Sequence, residues 1–169
     1  MPKTINILVL CTGNSARSIL GEALFNHFGQ GRIRAYSAGS QPSGKVNPVA
    51  LETLEKHGIP LPEARSKSWD EFAMPGAPEI DYIFTVCASA AGETCPVWIG
   101  HPTTAHWGIP DPAHVEPMGA RVEAFEVVYQ QLERRVRAFV ALPLETMSAA
   151  VVKAAAKQIH EQATALFFP

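Results

Sequence analysis

Hydrophobic positions change their period several times along the chain, and each change marks an element. "INILVL" (5–10) is a short continuous apolar run, the pattern of a strand buried on both faces. After a polar loop, Ile19, Leu20, Ala23, Leu24 and Phe28 recur at helical spacing. "RIRAYS" (32–37) alternates and predicts a second strand. "NPVALETLEKHG" (47–58) predicts a helix, with Pro48 in its first turn and Gly58 just past its end. "IDYIFTV" (80–86) predicts a third strand running up to Cys87, and "TTAHW" (103–107) a short fourth. The prolines of "GIPDPAHVEP" (108–117) keep that stretch a loop. From Met118 to Leu142, Val122, Phe125, Val128, Val136 and Phe139 mark a long helix. Beyond Pro143 an alanine-rich segment predicts another, with Met147, Val151, Ala155, Ile159 and Leu166 as a weak stripe. Packing of that helix on the domain is the plain expectation, and a partner-binding or dimerising role the sharper one.

Strands alternating with helices imply an α/β protein: an open parallel sheet covered by helices on both faces. Ligands of such sheets bind outside the carboxyl ends of the strands. Cys11, Cys87 and the Asp111 loop would all emerge there.

Composition narrows this picture. A chain of 169 residues is long enough for one conventional core. A formal net charge of −2 argues against a nucleic-acid binder, whose domain would be strongly basic. No apolar run approaches a membrane span, and the first ten residues do not read as a secretory leader, so a cytoplasmic location is expected. In that compartment the three cysteines point to chemistry rather than to a structural disulfide framework.

The chemistry centres on "CTGNSARS" (11–18). A thiol at a strand-to-helix loop meets backbone N–H groups and the positive end of the helix dipole, which favour anions and lower a thiol pKa. Cys11 is then a nucleophile within an oxyanion cradle formed by Thr12, Gly13, Asn14, Ser15, Ala16, Arg17 and Ser18. Gly13 lets the backbone approach the ligand, and Arg17 can offer a planar fork to two oxygens of a tetrahedral oxyanion. Asn14 can hold the loop, and Ser18 can hydrogen-bond the sulfur. The plainer alternative is an inert buried cysteine before a helix capped by Ser15. A second loop, "GSQPSGKV" (39–46), has the glycine and lysine spacing of a nucleotide-binding loop. Val46 stands where a hydroxyl would bind magnesium, so an ordinary turn is expected.

"CTGNSARS" resembles the phosphate-binding loop of the low-molecular-weight tyrosine phosphatase family, over roughly residues 4–142. The resemblance implies a three-layer fold with a four-stranded parallel sheet in the order 2-1-3-4, residues 1–142 forming the domain and 143–169 a C-terminal helical extension. It also implies Cys11 as nucleophile, Arg17 as oxyanion binder and Asp111 of "DPAH" as general acid. "TVCASAAGETCP" and "HWGIPDP" are similar to the thioredoxin-coupled arsenate reductases, a branch of this family. That branch implies a relay on arsenate through Cys11, Cys87 and Cys95, with arsenite as product and the final disulfide passed to thioredoxin. Two resolving cysteines favour thioredoxin over a small thiol with glutaredoxin. A phosphatase using Cys11, Arg17 and Asp111 alone is the alternative, and a phosphate-binding module without turnover a third.

Ala113 and His114 stand where the tyrosine-phosphate hydrolases of the family carry a tyrosine, which speaks against an aromatic substrate. Some relatives hold potassium behind the loop with residues that correspond to Asn14, Glu22, Ser37 and an acidic residue. Here Lys67 takes that acidic position, with Asp70 as the alternative, and its ammonium would stand in for the cation. No bound potassium is therefore expected, and because the six histidines show no ligand spacing and the three cysteines are otherwise employed, no metal or bound cofactor is expected either. His106 and Trp107 are expected to support the Asp111 loop.

Overall fold

The carboxyl ends of four strands lie in one row. β1 (Ile5–Leu10), β2 (Ile33–Ala38), β3 (Tyr82–Thr85) and β4 (Thr103–His106) form a parallel sheet in the order β2-β1-β3-β4. The register sets Leu10 against both Ala38 and Thr85, and Thr85 against His106. The loops that leave this row therefore begin at neighbouring points in space. This computed structural model describes residues 4–61, 64–86 and 102–167. β1 is central, and Ile7, Leu8 and Val9 are fully buried, which is why its sequence reads as a continuous apolar run.

Around the sheet pack α1 (Arg17–Gly29), α2 (Pro48–Lys56), α3 (Met118–Val140) and α4 (Ala149–Phe167). α1 touches β1 and β2 on one side and α2 and α3 on others, so its apolar residues are not confined to one stripe. Gly21 permits this closeness, since a Cβ there would lie 3.0 Å from Val9 Cγ1. α2 has the N-terminus its sequence signals: Asn47 Oδ1 accepts from the Val49 N–H at 2.9 Å, and Pro48 follows the cap.

Phe25 of α1, Phe84 of β3, Trp107 after β4 and Phe139 of α3 form one aromatic cluster, with ring centroids 4.2–6.0 Å apart. All four are essentially inaccessible. Each such side chain contributes about 1.5–3 kcal/mol by burial, so the cluster fixes Trp107, and with it the start of the 108–117 loop, to the core. The Trp107 indole N–H donates to the Ala156 carbonyl of α4 at 2.9 Å. Val152 and Ala156 of α4 belong to the same core, so this helix packs on β4 and α3. Arg32, just before β2, donates to the carbonyl of Val140, which the end of α3 leaves without a helical partner, and to that of Leu142 just beyond it.

Two elements differ from the sequence pattern. The C-terminal helical pattern is broken: Leu144–Thr146 forms one 3-10 turn, and α4 starts only at Ala149, after Ser148, whose Oγ accepts from the Val151 N–H. A second 3-10 turn, Trp69–Phe72, begins after Ser68, whose Oγ accepts from the Asp70 N–H. It is too short for a hydrophobic period to reveal. No helix among the described residues is long and apolar enough to cross a membrane.

Candidate active site

The loop between β1 and α1 is held by its outward-facing carbonyls. Thr12 O accepts from the Gln41 N–H, Gly13 O from the Ser43 N–H and the Ser66 hydroxyl, and Ser15 O from the Asn47 N–H, all at 2.9–3.1 Å. In a planar peptide the carbonyl and the following N–H point in opposite directions. Tying these oxygens outward turns the N–H groups of Gly13, Asn14 and Ala16 toward the opposite side, the concave side. The result is a nest of donors suited to an anion. Residues 41–47, which overlap the "GSQPSGKV" stretch (39–46), are thus the strap that holds the cradle's back.

Asn14 closes the turn with a left-handed backbone (φ 44°) that asparagine tolerates. Its side chain is fully buried: Nδ2 donates to Ser18 Oγ at 2.8 Å, and Oδ1 accepts from the Lys67 N–H at 2.8 Å. Gly39, directly after β2, packs against the same loop. A Cβ at this position would lie 2.4 Å from Thr12 O and 2.5 Å from Cys11 O, so only glycine fits. Its N–H donates to Lys67 O and its carbonyl accepts from the Trp69 N–H, which pins the 67–69 segment beside the loop. In sequence Gly39 stands out only as the first glycine of "GSQPSGKV"; its place directly after a strand is the signal for the close approach seen here.

Behind the loop, Ser37 Oγ donates to Glu22 Oε1 at 2.7 Å, and Lys67 Nζ stands 3.6 Å from the same oxygen. The Lys67 and Glu22 side chains are only 9% and 14% exposed. Burial pushes the Lys67 ammonium pKa below its ordinary value, and Glu22 opposes that shift. Lys67 also donates to Arg65 O.

Cys11 is 5% exposed at the floor of a cavity of about 420 Å3. Arg17, the first residue of α1, leans over it from one wall. Its Nη1 donates to Ile109 O at 2.8 Å, its Nη2 lies 3.5 Å from Asp111 Oδ2, and its Nε is buried without a hydrogen-bond partner. A buried, unsatisfied donor costs about 1–3 kcal/mol, more on a charged group, so this N–H is suited to an acceptor oxygen brought into the cavity. Asp111 faces the cavity between Pro110 and Pro112. Its Oδ1 accepts from the Ala113 N–H at 2.9 Å, and its Oδ2 is 4.0 Å from His114 Nε2. Ser43, Asn47, Ala113 and His114 form the rim, with no phenol or indole among the described lining residues. His106 and Trp107 stand at the root of the Asp111 loop: His106 Nδ1 pairs with Thr85 Oγ1 at 2.7 Å, and Trp107 is locked in the core.

Cys11, Arg17 and Asp111 are thus brought together. Cys87 and Cys95 lie outside the described residues. Immediately before Cys87, Val86 donates its N–H to the carbonyl of Leu10, the residue before Cys11.

The chain is similar to known proteins in sequence and in fold. The chain matches the profile of the family described as low molecular weight phosphotyrosine protein phosphatase over residues 6–164. It is similar to an arsenate reductase of Shouchella clausii, with 32% identity over 136 residues, covering 79% of this chain and 93% of that protein. A solved structure described as an arsenate reductase in the phosphate binding state has 27% identity and a TM-score of 0.66, covering 82% of this chain and 98% of that one. The tyrosine phosphatase Wzb from Escherichia coli K30, solved in complex with sulphate, has 25% identity and a TM-score of 0.62, with the same coverages.

Proposed function

The chain belongs to the low molecular weight phosphotyrosine protein phosphatase family, and from that premise we propose that it is an arsenate reductase working through a relay of three cysteines, with thioredoxin as electron donor. Arsenate is a tetrahedral oxyanion that fits a nest of N–H groups and the unpartnered Nε of Arg17. The curated relatives named arsenate reductase support this choice of substrate.

In the first step the Cys11 thiolate attacks arsenic(V), and Asp111 protonates the oxygen that leaves as water. Arg17 and the loop N–H groups hold the charge that develops on the remaining oxygens. In the second step the Cys87 thiolate attacks the Cys11 sulfur. The Cys11–arsenic bond breaks with its electron pair going to arsenic, so arsenic(V) leaves as arsenite and a Cys11–Cys87 disulfide remains. Cys95 then attacks Cys87 and frees Cys11 as thiolate. Two electrons from the thioredoxin dithiol reduce the Cys87–Cys95 disulfide and close the cycle.

One observation carries the reductase reading above plain hydrolysis. Leu10 and Val86 are hydrogen-bonded neighbours, and each is covalently followed by a cysteine, Cys11 and Cys87. A phosphatase has no use for the second thiol. The rim residues Ala113 and His114 support a small inorganic oxyanion rather than an aryl ester. Lys67 serves as a built-in cation at Glu22, so a potassium ion does not fit there.

The test is steady-state turnover of arsenate with thioredoxin, thioredoxin reductase and NADPH. Wild-type protein should consume NADPH, and Cys87→Ser should not, while any slow hydrolysis of an aryl phosphate survives that substitution. Loss of both activities together in Cys87→Ser, or NADPH consumption that survives it, contradicts the relay.

A further inference from the structure

On the far side of β4 from the cluster of catalytic residues lies a second cavity, of about 710 Å3, between β4 and α4. It is larger than the oxyanion cavity and falls within the size range of sites for small organic ligands. Its wall on the β4 side includes Ala105 and His106, and its wall on the α4 side includes Ala150 and Ala154, which leave the floor apolar and open. Lys153 and Lys157, one helical turn apart, stand on the rim with Glu161 one turn further. Among the described lining residues, two lysines against one carboxylate leave a surplus of one positive charge. His160 completes the end of the cavity, and its Nδ1 accepts from Arg135 Nε at 3.0 Å, which places the ring proton on Nε2 as a donor. Arg135 remains a cation at neutral pH behind it, its pKa pushed down only to about 10 by burial.

An apolar floor beneath a cationic rim matches one ligand chemistry: an apolar body that ends in a single anionic group. We propose that the cavity between β4 and α4 binds a small organic monoanion, an aryl or branched alkyl carboxylate, with its apolar part against Ala105, Ala150 and Ala154 and its carboxylate at Lys153 and Lys157. This site is separate from the oxyanion cradle and independent of the reaction proposed there.

Calorimetric titration of the full chain with 2-naphthoate tests the assignment. One naphthoate should bind saturably per chain, and saturating inorganic phosphate should not displace it. The neutral analogue 2-naphthalenemethanol should bind about tenfold more weakly or worse, the loss expected for a charge-assisted contact. The paired Lys153→Gln and Lys157→Gln variant should show a similar loss for naphthoate. Ala154→Trp, which fills the floor but keeps both lysines, should abolish binding, with circular dichroism confirming that the variants fold. Absence of saturable binding, displacement by phosphate, equal affinity for the neutral analogue, or unchanged affinity in either variant overturns the proposal.

Discussion

Arg17 Nη2 stands 3.5 Å from Asp111 Oδ2, so the cation that would grip the oxyanion is also held by the acid that would protonate its leaving group. An incoming tetrahedral anion competes with Asp111 for the guanidinium. Binding therefore loosens the carboxylate from its cationic partner at the moment when it must carry a proton.

Asp111→Asn separates these two roles. It removes the proton donor, so turnover should fall by about 100- to 1000-fold. It also removes the competing charge from Arg17, so inorganic phosphate should inhibit the variant at least as tightly as the wild type. A variant that loses phosphate binding together with turnover would place Asp111 in ligand binding rather than proton transfer.

Gly39→Ala should damage the cradle without touching the cavity. The new methyl group meets Thr12 O and Cys11 O at distances no real Cβ contact shows, so the loop or the strand end must shift. A cost of about 1–3 kcal/mol is expected from overpacking, read as a lower midpoint in urea. Phosphate affinity should fall as well, because the N–H groups of the nest lose their common aim.

Lys67→Met should leave the nearly buried Glu22 carboxylate without its ammonium. Breaking such a pair costs about 3 kcal/mol when one charge stays behind. Potassium chloride, but not choline chloride, should restore part of the lost stability and activity by supplying a small cation at Glu22 and Ser37. Wild-type activity should be indifferent to that exchange of salts.

His160 gives the fold a sensitivity to acid. Burial, then the positive Arg135, lowers its pKa below the ordinary value near 6.5. Above that value the ring is neutral in both the folded and unfolded chain. As the pH falls through 6.5 the unfolded chain takes up a proton that the folded one resists, so stability is lost on acidification. Urea midpoints measured at neutral and mildly acidic pH should differ less for His160→Gln than for the wild type, since glutamine can still accept from Arg135.

Much of this fold is legible in the sequence because its strongest signals are local. The apolar run of β1, the Asn-Pro start of α2 and the long period of α3 each depend on residues close together in the chain. Cys11, Arg17 and Asn14 fall within one loop whose composition announces an anion site. Gly39 was not legible in the same way, since its need to lack a side chain comes from carbonyls nearly thirty residues earlier. The Trp69–Phe72 turn escaped notice because four residues hold no hydrophobic period. The late start of the C-terminal helix is hard to read because Leu144, Glu145 and Met147 suit a helix as well as the alanines after Ser148 do. The strap role of 41–47 depends on backbone donors, Gln41, Ser43 and Asn47, whose side chains carry no trace of it.

The most direct measurement takes the Cys95→Ser variant through a single turnover with arsenate and maps its disulfides by mass spectrometry without reduction. With the last thiol gone the relay must stop one step early, so a Cys11–Cys87 crosslink should accumulate in step with the arsenite released. Arsenite release without that crosslink, or recovery of Cys11 and Cys87 as free thiols after turnover, would contradict the account.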